Sequence, residues 1–152
     1  MAQDSAIFTI GYEHTTPAAF GAALHDAGVD LLIDVRAVVA SRRPGFSKGA
    51  LAAAMATQGV GYVHLRALGT PKEGRLAARS GDHAGLMRIY DAHLETAPAH
   101  AALEELAVLA SGRRACLVCY ERHAEGCHRL RLAQFLCERL DRPASHLLAA
   151  PF

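Results

Sequence analysis

Two short stretches hold most of the residues able to do chemistry. Cys119-Tyr120-Glu121 and Cys127-His128-Arg129 bring thiol, carboxyl, imidazole and guanidinium groups into one segment. A cysteine at the start of a helix, beside positive charge, is favoured as its thiolate, so Cys127 with His128 and Arg129 is a candidate nucleophile. The plainer reading makes Cys127 a small helix-start residue, with His128 and Arg129 tying down the loop. Glu121 and Asp34 fall at the ends of β-prone runs. Two carboxyls close together can divide acid and base duties by pushing their pKa values apart; alternatively each pairs with Arg36 or Arg129, as charges at buried strand ends must be matched.

The second stretch is basic. From Arg36 to Lys48 the chain carries four positive charges, Arg36, Arg42, Arg43 and Lys48, and no negative one. A charge run is often just a solvated face, but arginine forks also suit an oxyanion. With Arg129 at another strand-to-helix junction, these side chains are the candidate anion ligands. Tyr12 and Phe46 add flat surfaces on which a nucleotide base could stack.

Other motifs fail on geometry. Cys116 and Cys119 have CxxC spacing, but residues three apart on a strand face opposite ways, so they make no redox pair. Cys116 to Arg122 matches the bare spacing of a phosphate-cradling loop, yet Leu117 and Val118 belong to a strand and no glycine lets the backbone curl. Cys119, Glu121, His123, Cys127 and His128 offer metal-ligand types in one cluster, whereas structural zinc usually takes two tightly spaced ligand pairs. No metal is therefore assigned. His14 reads as a loop histidine and Cys137 as packing on an apolar helix face.

The elements that must position these groups follow from the pattern of the chain. Ala6–Gly11 is a strand, and Thr16-Pro17 caps a helix that runs to Ala27 and stops at Gly28. Val29–Val35 is a nearly continuous apolar run, as a strand covered on both faces should be. Ser47 caps a second helix that ends near Gly59, and Gly61–Leu65 is a third strand. Arg66–Asp82 reads as a long polar loop. Two helices follow, His83–Leu94 and Pro98–Ala110, then a strand over Arg114–Tyr120, a helix over Cys127–Leu140 with a wide apolar face, and an edge strand near Ser145–Ala149. This alternation predicts a single α/β domain over residues 1–152, three-layer-like, with a mainly parallel sheet flanked by helices. In such sheets the ligand sits outside the carboxyl ends of the strands, where the polar clusters fall.

Composition narrows the function. The 152 residues carry 51% apolar and 20% charged residues and a formal net charge of +1. A chain of this size buries about 70% of the surface it exposes unfolded, so it needs no staples. Near-neutrality argues against a broad polyanion-binding coat. The sequence contains no apolar run of about 18 residues and no signal-like start, so a cytoplasmic, membrane-free protein is expected. Four cysteines in a reducing compartment are expected as free thiols.

Thr9-Ile10-Gly11-Tyr12-Glu13, Ile33-Asp34-Val35-Arg36, Ser41-Arg42 with Pro44-Gly45-Phe46, Leu68-Gly69-Thr70-Pro71, and Cys119-Tyr120-Glu121 followed by Cys127-His128-Arg129 together resemble the motif series of the DUF488 family, in order and over almost the whole chain. The resemblance implies a compact α/β domain and a site built from Tyr12, Asp34, Arg36, Arg42, Glu121, Cys127, His128 and Arg129; it implies no settled reaction. The combined expectation is an enzyme acting on a small phosphorylated or otherwise anionic substrate, a nucleotide or nucleic acid among the candidates. Cys127, Glu121, Asp34 and His128 are its catalytic candidates, and Tyr12, Arg36, Arg42, Arg43 and Arg129 bind the anion. No bound cofactor is implied. The alternatives are a non-catalytic nucleic-acid or phosphate-ligand binding module, and a metal-binding or structural interaction domain. The sequence leaves the oligomeric state open.

Overall fold

The computed structural model describes residues 5–152. Five strands form one sheet: β1 (Ile7–Gly11), β2 (Leu31–Asp34), β3 (Gly61–His64), β4 (Ala115–Cys119) and β5 (Ala144–Leu147). Their order is β3-β2-β4-β1-β5, and every neighbouring pair is parallel. The helices are α1 (Pro17–Asp26), α2 (Lys48–Thr57), α3 (Lys72–Arg79), α4 (His83–Leu94), α5 (Ala97–Ala110) and α6 (Arg129–Leu140). The α/β expectation holds, with a sheet that is parallel throughout.

Local chemistry sets the boundaries. The Thr16 side chain accepts the Ala19 N–H at 3.1 Å, Pro17 opens α1, and Gly28 takes φ +70° beyond the helix end. Thr96 caps α5 in the same manner, ahead of Pro98. Leu31–Asp34, Ile7–Gly11 and Ala115–Cys119 are buried at every position, because helices cover both faces of the central strands. Alternate strand residues feed two cores. Ile7, Ile33 and Leu117 pack with Leu106 of α5 and with Leu132 and Leu136 of α6. Phe8, Ile10, Leu32 and Val118 pack with Phe20 and Leu24 of α1 and with Leu51 and Met55 of α2.

The loop expected over Arg66–Asp82 contains a helix. A 3₁₀ turn at Arg66–Leu68 leads into α3, whose buried Gly74 lets it lie against Thr70 and against Leu86 and Ile89 of α4. A side chain at Gly74 would overlap the Thr70 methyl. The helix is thus stabilised by close tertiary packing that a polar sequence does not advertise. The last long helix begins at Arg129 instead of Cys127. Cys127 lies before it with extended backbone, φ −132° and ψ 148°, its N–H bonded to Ala124 O in a 3₁₀ turn over Ala124–Gly126.

Chain order creates a crevice. β1 and β4 are neighbours, yet the chain leaves β1 for β2 on one side and leaves β4 for β5 on the other. A ligand site is expected at such a switch point, outside the carboxyl ends of the strands.

Candidate active site

A cavity of about 510 Å³ opens there. Tyr12 and Glu13 after β1, Arg36 to Val38 after β2, and Cys119 to Glu121 at the end of β4 form its walls, with Cys127 and His128 beside them. The remaining wall comes from Thr70 and from Arg75, Ala78 and Arg79 of α3, with Leu86 of α4. The helix hidden in the polar stretch therefore supplies part of the site. Arg75 and Arg79 lie on the same helix face one turn apart, the signal by which they could have been found.

His128 is held in one orientation by a backbone carbonyl. Its Nε2 lies 2.7 Å from the Val35 carbonyl oxygen, which can only accept, so Nε2 carries the proton and Nδ1 keeps its lone pair. Nδ1 faces the Cys127 sulfur at 3.5 Å. Burial pushes the His128 pKa down to about 4, with Arg129 adding to the effect, and the ring is neutral near pH 7. Cys127 forms a disulfide with Cys119, the Cα atoms being 7.5 Å apart. This corrects the expectation of four free thiols. The loop after β4 folds back through the 3₁₀ turn to bring the two sulfurs together, a return that eight residues of sequence separation do not reveal. Cys116 and Cys137 are free, and Cys116 points into the opposite core from Cys119.

Glu121 is half-buried on the cavity wall. Burial raises its pKa and the neighbouring negative charge of Glu13 adds to the shift, with Arg129 opposing. Glu13 is itself held by the Arg122 N–H, which donates to its Oε1 at 3.0 Å.

Asp34 does not join Glu121. It is fully buried and absent from the cavity wall, its oxygens accepting from Arg36 Nε at 2.9 Å, Arg36 Nη2 at 2.7 Å and the Tyr62 hydroxyl at 2.5 Å. The proposed sharing of acid and base work between these two carboxyls is therefore not assembled; Asp34 serves as the counter-ion of Arg36. Burial works against the Arg36 charge, but Asp34 outweighs it and the pKa of Arg36 is raised. Arg36 also donates through Nη1 to Phe46 O at 2.7 Å and to the Tyr12 hydroxyl at 3.4 Å. It reaches the cavity wall with its hydrogen-bonding capacity largely spent.

The other arginines divide similarly. Arg129 is fully buried and donates to the Cys119 sulfur at 2.9 Å and to the carbonyls of Glu121 and Arg122. Burial lowers its pKa to about 10. It staples the loop after β4 and does not line the cavity. Arg43 donates to the carbonyls of Tyr12 and Thr15 and lies over the Phe46 and Phe152 rings. Arg42 is exposed and outside the cavity. Tyr12 stacks on Phe46 with centroids 4.6 Å apart, and Phe46 is completely buried, so Phe46 offers no surface to a base. At the rim, Tyr120 meets the edge of Tyr12 and is 45% exposed.

The cavity is thus bipolar. Arg75 and Arg79 stand on the α3 wall, Glu13 and Glu121 are contributed by the β1 and β4 loops, and the Cys127–His128 pair lies beside them. Cys119, Cys127 and His128 bring two sulfurs and Nδ1 within 4.8 Å of one another, whereas His123 is exposed and it and Glu121 fall outside this group. Among the described residues, no helix is long and apolar enough to cross a membrane.

The profile of a domain of unknown function, DUF488, matches residues 16–136, which include Asp34, Arg36, Glu121, Cys127, His128 and Arg129. Comparison with curated proteins and with solved structures finds no significant match.

Proposed function

We propose that this protein, which belongs to the DUF488 family, is an enzyme that takes a small phosphorylated or otherwise anionic substrate into the cavity between β1, β4 and α3. The observation that carries this is the bipolar wall, with Arg75 and Arg79 facing a cavity that also holds Glu121, Cys127 and His128. The Arg79 guanidinium, with the Arg75 nitrogens not engaged by Thr70 O, holds the anionic end of the substrate. Glu121, half-buried at the strand end, gives or takes a proton at the reacting group. In the reduced protein His128 Nδ1 is positioned to accept the Cys127 thiol proton, its ring oriented by Val35 O, which makes Cys127 the candidate nucleophile of a metal-free form. Tyr12 and Arg36 shape the wall rather than contact the anion.

A purely nucleic-acid-binding module fits less well. Of the four positive charges from Arg36 to Lys48, Arg36 is buried on Asp34 and Arg43 is turned into backbone carbonyls, so the run is no continuous phosphate-tracking strip. The test is a panel of phosphomonoesters, nucleotides and short oligonucleotides incubated with reduced protein and followed by mass spectrometry. Consumption of a phosphorylated compound, abolished by Glu121→Gln, supports an enzyme. Binding without consumption of any compound, unaffected by Glu121→Gln, would leave only the binding module.

A further inference from the structure

We propose that, when Cys119 and Cys127 are reduced, their two sulfurs and His128 Nδ1 bind one thiophilic divalent metal ion, zinc by its ligand chemistry, with a further coordination position open to the cavity. The three ligand atoms already lie within 4.8 Å of one another, and all three residues are buried on the cavity wall. Two thiolates and one imidazole with an open position form a ligand set typical of catalytic zinc.

Three further features fit a metal better than a simple cysteine pair. The His128 ring is fixed by its Nε2–H on Val35 O, the outer-shell contact that orients a metal-binding imidazole and directs Nδ1 toward the sulfurs. Arg129 donates to the Cys119 sulfur at 2.9 Å, which favours the thiolate over the thiol. The ligands also sit on two firm supports, the end of β4 and the turn that leads into α6.

The chemistry balances. A small thiol reductant gives two electrons and two protons to the disulfide and is itself oxidised to a disulfide. The divalent ion then displaces the two thiol protons, so the metal–dithiolate unit is neutral. Metal binding does not depend on the anion-substrate reading, since it is measured without any substrate.

The experiment titrates full-length protein, reduced with a phosphine and freed of metal under inert gas, with cobalt and then zinc. The expected result is one equivalent of cobalt per chain, with the visible absorption of tetrahedral thiolate coordination, displaced by one equivalent of zinc. Zinc should also protect Cys119 and Cys127, but not Cys137, from alkylation mapped by mass spectrometry. The cobalt spectrum should be lost in Cys119→Ser and Cys127→Ser and retained in Cys137→Ser. The wild-type titration alone decides if a variant misfolds: folded, reduced protein that shows no thiolate–cobalt absorption and no protection by zinc overturns the proposal.

Discussion

The Val35 carbonyl accepts a 2.7 Å hydrogen bond from His128 Nε2, so the residue after β2 fixes the imidazole that precedes α6. This bond links two segments 93 residues apart in sequence and decides which nitrogen faces Cys127. His128→Ala leaves a buried carbonyl unpaired, and the expected cost is about 1–3 kcal/mol in urea unfolding. An unchanged midpoint would show that the bond has no structural weight.

Asp34 and Arg36 form the buried ion pair of the site. Asp34→Asn leaves the Arg36 guanidinium without its counter-charge in the interior, and should destabilise the protein by about 3–5 kcal/mol. Replacing both residues together, by Asp34→Asn with Arg36→Met, should recover part of that loss. A double variant that loses the sum of the two single effects would show that the pair is not coupled.

Gly11 ends β1 directly beneath the loop that carries Glu121. A Cβ at this position would overlap the Glu121 carbonyl oxygen and crowd Arg122 N. Gly11→Ala is expected to cost at least about 1–3 kcal/mol, by overpacking, and to weaken ligand binding because it displaces Glu121. Wild-type stability and affinity in this variant would contradict the packing described.

Thiol counting checks the cysteine assignment. Denatured, unreduced protein should release two reactive thiols, Cys116 and Cys137, and four after reduction. In folded protein Cys116 should remain unlabelled, since it is fully buried and burial raises its thiol pKa. If reduced, metal-free Cys127 is a nucleophile, it reacts with a small electrophile near neutral pH faster than Cys137; equal, slow labelling removes that role.

The parts of the fold written in local signals were legible in the sequence. Thr16-Pro17 and Gly28 bracket α1, and the apolar runs of β2 and β4 mark strands covered on both faces. The strand-end rule also led to Tyr12, Arg36, Glu121, Cys127 and His128, which line one cavity. Helix α3 was not legible, because its place depends on Gly74 meeting Leu86 and Ile89 in three dimensions. The arginines show the same limit. Charge alone does not say that Arg129 and Arg43 will turn inward onto carbonyls while Arg79 lines the cavity together with Arg75, which keeps one Nη on Thr70 O. Nor does sequence spacing show that the loop after β4 returns Cys127 to Cys119.

The most direct measurement is calorimetric titration of reduced protein with the tightest-binding phosphorylated compound of the panel, in wild type, Arg75→Ala/Arg79→Ala and Arg42→Ala. Charge-assisted hydrogen bonds lost from the α3 wall are worth about 1.5–3 kcal/mol, so the double variant should bind at least about 10-fold more weakly, while Arg42→Ala binds as wild type. Equal affinity in wild type and the α3 double variant, or a loss confined to Arg42→Ala, would contradict an anion site in this cavity.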